Sequence, residues 1–439
     1  MKRPTSVEIR GYQVGFGDCF LLSFVYGTDD RRHVLIDFGS TGLPRRGNKV
    51  VKPAVYMPQV ARQIATDCGG RLTALVATHR HADHINGFST EGAHGGPGAI
   101  IRQLKPKLVI QPWTEDPDAA RNAHKATRDS SRSTRSFIRG LDAMHRIAEA
   151  IARVARAKAP GMSFAAAGQL NFLGQENIGN RSAVENLIAM GKAKGSRAAW
   201  VHHGSKSGLE RLLPGVRVHV LGPPNLTQTE KIRTMRRTDP DEFWHLLGSQ
   251  ASVRAMEGRM DRIHRRSKAT APPIEARWFV NRLDHLRTEQ LLQIVRILDD
   301  QMNNTSVILL IEVFGKRLLF PGDAQIENWS YALQDAPTAE ATRTLLQSVD
   351  VYKVGHHGSL NATPRKLLWE HFANRNRTGN KRLRTLLSTM AGKHGRTQNK
   401  TEVPRRTLLK ALEAETSLET TADLKMSDSN HSFLTVVKP

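Results

Sequence analysis

Residues 77–84 read ATHRHADH, and this stretch places three imidazoles and a carboxylate within six positions. It follows the apolar run LTALV at 72–76, which predicts a short buried strand. Neutral imidazole and carboxylate are ligands that suit divalent transition metals such as zinc or manganese. We therefore predict a metal site just past a strand end, where His79 and His81 reach one ion while Asp83 and His84 turn towards a second. The competing interpretation is a cluster of surface histidines in a basic protein.

Two segments downstream contain residues that could complete such a site. Residues 303–324 predict a turn, a buried strand, a Gly-Lys turn and a second strand that ends in the sequence PGDA. A site with two metal ions needs a bridging carboxylate, and Asp323 has the right type and context. A further apolar strand at 349–355 leads into His356 and His357, either of which could complete the coordination of the second ion. Spacing alone does not decide between these two histidines.

The spacing HxHxDH resembles the signature of the metallo-β-lactamase-fold hydrolases. The order of segments is similar to that in the hydrolase domain of the competence protein ComEC. The matching segments are GFGD at 15–18, the 79–84 motif, NTSV at 304–307, PGDA at 321–324 and KVGHHGS at 353–359. The resemblance implies an α/β fold of layered type, an αββα sandwich with basic helical insertions. The expected division is a first half at 1–114, a basic helical insertion at 115–195, a hairpin rejoining the sandwich at 196–224, a second basic insertion at 225–300, and a second half at 301–439.

The resemblance also assigns roles to particular residues. It implies one or two divalent ions, zinc or manganese, held by His79, His81, Asp83, His84, Asp323 and His357. Asp83 would also act in catalysis by orienting a metal-bound water, and His356 would face the substrate as a phosphate contact or proton donor.

Some positions depart from the family pattern or have no settled role. Many members of the family have a further histidine ligand in the region where this sequence, like the ComEC-like branch, has Asn304. His394 could fill a position near the site. Asp37, at the end of the predicted strand 33–39, is either a carboxylate that orients a ligand or an ordinary turn residue.

Three functions follow from these residues and stay open at this point. The favoured hypothesis is a hydrolase that uses a metal-activated water on phosphodiesters, as a nuclease or nucleotide phosphodiesterase. The second is a metallohydrolase of small esters, lactones or other substrates, because one fold hosts many reactions. The third is a metal-binding protein without catalysis of its own that acts with a partner.

The charge distribution favours the phosphodiester hypothesis. The formal net charge is +24, and the stretches 121–158, 228–268 and 361–410 contribute 22 of these charges. Basic segments added to a nearly neutral core are suited to binding a nucleic-acid backbone without reading its sequence. The alternative is that these arginines and lysines lie on ordinary solvated helix faces. The sequence leaves a protein partner and the oligomeric state open.

The remaining composition suggests a cytoplasmic location without membrane contact. Cys19 and Cys68 cannot build a disulfide framework and suit a reducing compartment. The first residues lack the apolar core of a signal peptide, and no stretch approaches the ~20 apolar residues that span a bilayer.

Overall fold

Two β-sheets face each other in the structure, with helices on their outer sides. The structure is a computed structural model, and it describes residues 2–46, 49–116, 180–225, 227–229, 231, 303–361, 363–390, 392–393, 402–424 and 432–439. Most of the two predicted basic insertions, and His394, lie outside the described residues.

The first sheet has seven strands. They are β1 Ser6–Tyr12, β2 Cys19–Val25, β3 Arg31–Phe38, β6 Ala74–Val76, β7 Val109–Pro112, β8 Ala198–Val201 and β15 Ser432–Val437. Their order is β15-β1-β2-β3-β6-β7-β8, and two short strands, β4 Arg45–Arg46 and β5 Lys49–Val50, pair separately. Pairing is antiparallel from β15 to β3 and parallel from β3 to β8. The carboxyl ends of β3, β6, β7 and β8 therefore lie at the same edge of the sheet.

The second sheet has six strands. They are β9 Val216–Gly222, β10 Ile308–Val313, β11 Lys316–Phe320, β12 Val351–Lys353, β13 Arg384–Leu387 and β14 Ser417–Thr420, in the order β14-β13-β12-β11-β10-β9. The predicted hairpin is confirmed, because β10 and β11 pair antiparallel across a tight turn. Strands β11 to β14 run parallel, so their carboxyl ends also share one edge.

Eight α-helices are described. They are α1 Pro53–Asp67, α2 Ala82–Ile85, α3 Gly96–Gln103, α4 Arg181–Lys192, α5 Leu209–Leu212, α6 Ile326–Ser330, α7 Ala339–Gln347 and α8 Arg406–Glu415. Short 3₁₀ segments are Asn86–Phe88, Ala93–Gly95, Trp113–Glu115, Gly355–Gly358, Trp369–His371, Gly379–Lys381 and Thr421–Asp423, and Tyr331–Asp335 forms a π-helical turn. The helix predicted at 53–67 is confirmed, with Val60 and Ile64 on its buried face. Within the described ranges, none of the helices has the length and apolarity needed to cross a membrane.

Three apolar clusters separate the layers. One lies between the sheets and joins alternate side chains of both, such as Phe20 from β2 and Phe320 from β11. A second lies between the outer face of the first sheet and α1, α3 and α4. A third lies between the second sheet and α6, α7 and α8. The predicted layered α/β fold class is thus confirmed.

The segment 196–224 differs from its prediction as a hairpin. Strand β8 is the edge of the first sheet and β9 is the edge of the second, so the two strands do not pair. The reason lies in the connection, where α5 places Leu209 and Leu213 in the apolar cluster between the sheets. A connection with its own core residues crosses from one sheet to the other instead of forming a tight turn.

Candidate metal centre

Strand ends from both sheets meet at one place between the layers. Residues 77–84 follow β6 in the first sheet, whereas Asp323 follows β11 and His357 follows β12 in the second. The side chains of Asp83 and His357, 274 positions apart in the sequence, approach to 3.1 Å between Oδ2 and Nε2. His84 Nε2 lies 3.0 Å from Asp323 Oδ2. The fold thus brings together residues that the sequence holds far apart.

Asp83, His84, Asp323 and His357 form a compact donor cluster, here called the metal centre. One nitrogen or oxygen atom from each lies within 4.8 Å of the corresponding atoms of the other three. His84, Asp323 and His357 are buried, and the side chain of Asp83 is 14% exposed, which leaves the cluster open on that side. Two imidazoles and two carboxylates at this spacing are a donor set that zinc and manganese accept.

Hydrogen bonds on the far side of each imidazole orient its other nitrogen towards the carboxylates. His357 Nδ1 donates to the carbonyl oxygen of Ser388 at 2.9 Å, since a carbonyl can only accept. His84 Nδ1 donates to Asp37 Oδ2 at 2.8 Å. In their neutral forms both imidazoles therefore turn an Nε2 lone pair towards a carboxylate. Two acceptors facing each other at about 3 Å require a proton or a metal cation between them.

Electrostatic effects on His84, His357 and Asp323 agree with this need for positive charge. Burial acts to lower the pKa of His84, but the charges of Asp323 and Asp37 raise it well above its usual value. The pKa of His357 is also raised, because Asp18 and Asp323 outweigh burial. Burial acts to raise the pKa of Asp323, but the neighbouring imidazolium charges, that of His84 first, lower it well below its usual value. The cluster therefore holds the Asp323 carboxylate ionised and favours positive charge beside it, supplied by protons on the imidazoles or by a bound cation.

Asp37 lies where its carboxylate can orient the imidazole of His84, which is one of the two roles that the sequence suggested for it. Besides the bond to His84, its Oδ1 accepts from the backbone N–H of Thr78 and its Oδ2 from the Thr78 hydroxyl, both at 2.7 Å. Asp37 itself has a left-handed backbone (φ 56°), an uncommon conformation for a residue with a side chain. Carboxylates that fix a ligating histidine in this way are typical of metal sites.

The loop after β12 also adopts an uncommon conformation. His356 and His357 are both left-handed, with φ of 43° and 52°, and Gly358 follows at 81°. Such backbone is costly for residues with side chains and is found mainly where the surroundings enforce it. Here the N–H of His356 donates to Asp323 Oδ1 at 3.0 Å, which ties the loop to the metal centre.

A buried ion pair lies behind the metal centre. The side chains of Asp18 and Lys353 are only 1% and 3% exposed, and Lys353 Nζ contacts Asp18 Oδ2 directly. Nζ also lies 3.7 Å from Asp323 Oδ1, and Asp18 Oδ1 lies 3.6 Å from His357 Nδ1. Sequence reasoning assigned neither residue a role. A lysine inside the apolar strand VYKV was the available signal.

His79 and His81 lie beside the metal centre and contact each other. Their Nε2 and Nδ1 atoms are 2.9 Å apart, and the ring of His79 is centred 4.1 Å from that of His84. Burial lowers the pKa of His79 well below its usual value and that of His81 to about 4. Both imidazoles are therefore neutral at pH 7 and able to ligate. That they bind a second ion stays a prediction.

Two further residues from the sequence analysis are placed by the structure. His356 is at the rim, with a side chain 28% exposed and Nε2 3.9 Å from Asp323 Oδ2. Asn304 is buried in the turn that precedes β10. His357 thus enters the metal centre and His356 borders it.

No protein-family model matches the chain, and none of the curated proteins matches it at a significant level. The functional assignment therefore depends on the residues and geometry described above.

Proposed function

We propose that the chain is a metal-dependent hydrolase of the metallo-β-lactamase type that cleaves phosphodiesters. One observation carries the proposal: two buried imidazoles, already donating through Nδ1, turn Nε2 towards carboxylates at 3.0 and 3.1 Å. A divalent cation between the Nε2 atoms and the carboxylates would remove the repulsion between these acceptors without protonation of the histidines. When bound, such a cation supplies Lewis acidity and lowers the pKa of a coordinated water towards neutrality.

The residues of the site would then have separate roles in metal binding and catalysis. His84, Asp323 and His357 would hold a cation, and His79 with His81 would hold another. Asp83 would ligate as well, and its partly exposed carboxylate is placed to orient a water entering from solvent. His356, at the rim, would contact the phosphate or hold the proton that the leaving oxygen takes up.

Phosphodiesters are proposed as the substrate class because of charge. The excess of 65 Lys and Arg over 41 Asp and Glu attracts polyanions, and a phosphodiester carries the negative charge that this field favours. The resemblance of the motifs to the ComEC hydrolase domain points the same way. A cytoplasmic location belongs to the same proposal, because both cysteines are free and buried.

The test is cleavage of labelled single- and double-stranded DNA and RNA, and of a generic ester and lactone, with added manganese or zinc. The Asp323→Asn variant is compared with Asp335→Asn, which removes a partly exposed carboxylate elsewhere. We expect nucleic-acid cleavage that falls at least about 100-fold in Asp323→Asn, because even orienting partners of metal ligands are worth 10–100-fold. Asp335→Asn should retain activity.

Other outcomes of this test would overturn the proposal. Turnover of the ester or lactone alone would replace phosphodiesters by small substrates. Metal binding without any turnover would favour a binding protein that acts with a partner. Equal loss in both variants would separate the activity from the metal centre.

A further inference from the structure

A cavity of about 560 Å³ opens at the amino ends of β7 and β8. Four basic side chains line it, namely those of Lys107, Arg197, Lys206 and Arg211. Its apolar floor includes Leu108, which belongs to the cluster between the sheets. We call it the basic cavity.

The positive charge of the basic cavity is largely uncompensated. Among the described residues of its lining, Glu210 alone is acidic, and it accepts hydrogen bonds from the Ser207 hydroxyl at 3.1 Å and from a backbone N–H. None of the four basic residues takes part in an ion pair within the described part of the chain. By contrast, Arg80 and Arg217 elsewhere are paired with glutamates. Unpaired cations around one concave surface favour an anionic ligand.

The backbone beneath the cations is firmly held. Arg197 N–H donates to the Lys107 carbonyl at 3.0 Å, and Val109 N–H donates to the Arg197 carbonyl at 2.8 Å. Lys107 and Arg197 therefore sit on adjacent strands, about 4.8 Å apart at the backbone. On the facing segment, Leu209 N–H donates to the Ser207 hydroxyl at 3.1 Å, which fixes the turn between the other two cations. The fold thus places all four basic residues around one cavity.

The basic cavity is separate from the metal centre. In the parallel register, Val76 of β6 pairs with Ile110 of β7. His79 follows Val76 by three residues, whereas Lys107 precedes Ile110 by three. The two sites thus lie at opposite ends of the strands, roughly 20 Å apart at about 3.3 Å per residue. A group bound in the cavity cannot be the one that reacts at the metal centre.

The chemistry of the lining indicates the ligand. Ammonium and guanidinium groups suit phosphate oxygens, to which they donate charge-assisted hydrogen bonds. None of the described residues that line the cavity is aromatic, so this lining offers no surface for base stacking. We propose that the basic cavity binds phosphate groups of a nucleic-acid backbone, independently of base sequence. The inference deepens the proposed function, since it names a second contact for the same substrate class.

Binding of a labelled single-stranded DNA 20-mer tests the proposal, measured by fluorescence anisotropy in EDTA over a range of salt concentrations. The full chain is compared with Arg197→Gln/Lys206→Gln. The control Lys52→Gln/Arg62→Gln also removes two exposed positive charges, but near α1. We expect the slope of log K against log salt to decrease in magnitude by about 1.4 in the cavity variant, because each phosphate contact of a single strand contributes about 0.7. The control should keep the wild-type slope.

An equal slope change in both double variants, or no DNA binding by the full chain, would overturn the proposal. A second arm replaces DNA by pyrophosphate. Binding of pyrophosphate as tight as that of the 20-mer, lost in the cavity variant, would reassign the cavity to small phosphates. Because no metal is present, this result does not depend on hydrolysis. Intact DNA binding without cleavage under metal would contradict the proposed function alone.

Discussion

Replacing Lys353 by methionine tests the buried ion pair that supports the metal centre. The change keeps the length and apolar character of the side chain but removes its ammonium group. Asp18 would then lose its contact with Nζ at a site where both side chains are at most 3% exposed. Burial acts to lower the pKa of Lys353, but Asp18 raises it, so the wild-type lysine is charged.

The expected cost follows from leaving one buried charge without its partner. Breaking such a pair from one side destabilises a protein by about 3–5 kcal/mol. With a urea dependence of about 3 kcal/mol per molar, the unfolding midpoint should fall by roughly 1 M or more. Asp323 would keep the imidazole of His84 at 3.0 Å and the backbone N–H of His356 at 3.0 Å, so that carboxylate should be less affected.

The assay is urea unfolding in EDTA of the wild type, Lys353→Met and the double variant Asp18→Asn/Lys353→Met. The double variant should regain at least half of the lost stability, because it removes the orphaned charge together with its partner. A loss below about 1 kcal/mol in the single variant would contradict the reasoning, since an exposed pair is worth no more than that. So would a double variant no more stable than the single one.

Three further changes test other parts of the structure. Asp37→Asn should weaken manganese or zinc affinity about 10–100-fold in calorimetric titration, because it loosens the orientation of a ligating imidazole; unchanged affinity would contradict that role. Gly358→Ala should lower the free energy of unfolding by about 1–3 kcal/mol in urea. The backbone there is left-handed (φ 81°), and the added Cβ would lie only 3.0 Å from a proline. Gly379→Ala, left-handed but in open space, should cost less, and equal costs would count against the packing argument. Burial acts to raise the pKa of Glu312, but the hydrogen bond with His219 lowers that pKa overall. The Glu312 carboxylate therefore stabilises the fold at pH values above its ordinary pKa. This stabilisation is lost as the pH falls through the pKa that Glu312 has in the folded protein. Glu312→Gln should therefore lower the urea midpoint most at pH 7 and by progressively less as the pH falls below the ordinary pKa of glutamate, and a pH-independent difference would refute this.

Local patterns were enough to predict much of the fold. Apolar runs bounded by polar turns located β6, β10 and β11, and the spacing of Val60 and Ile64 located α1. Strand pairing depends on contacts between residues far apart in the sequence, so local patterns do not determine it. The hairpin expected at 196–224 is an example. The pattern there indicated two strands correctly, but the strands join different sheets, and the connection between them buries Leu209 and Leu213 between those sheets.

The residues of the metal centre, like the strands, could be predicted from local sequence patterns. The 79–84 motif is contiguous, and Asp323 and His357 end apolar strands, so residue type and position pointed to them. The choice between His356 and His357 depended on successive left-handed residues, which no spacing rule reveals. Asp18 and Lys353 were missed because their pairing joins β12 to the segment before β2, and each charge alone looks like an ordinary polar residue.

Metal titration of the purified chain tests the central claim most directly. Wild type, His357→Gln and His203→Gln are first stripped with EDTA and then titrated with manganese and with zinc in a calorimeter. His203 is the matched control, a buried histidine whose ring bonds to Leu221 and Thr338 and not to the four residues of the metal centre. We expect at least one equivalent bound per chain in wild type and in His203→Gln, and a marked loss in His357→Gln. No binding of either ion by the wild type, or equal binding by all three, would contradict it.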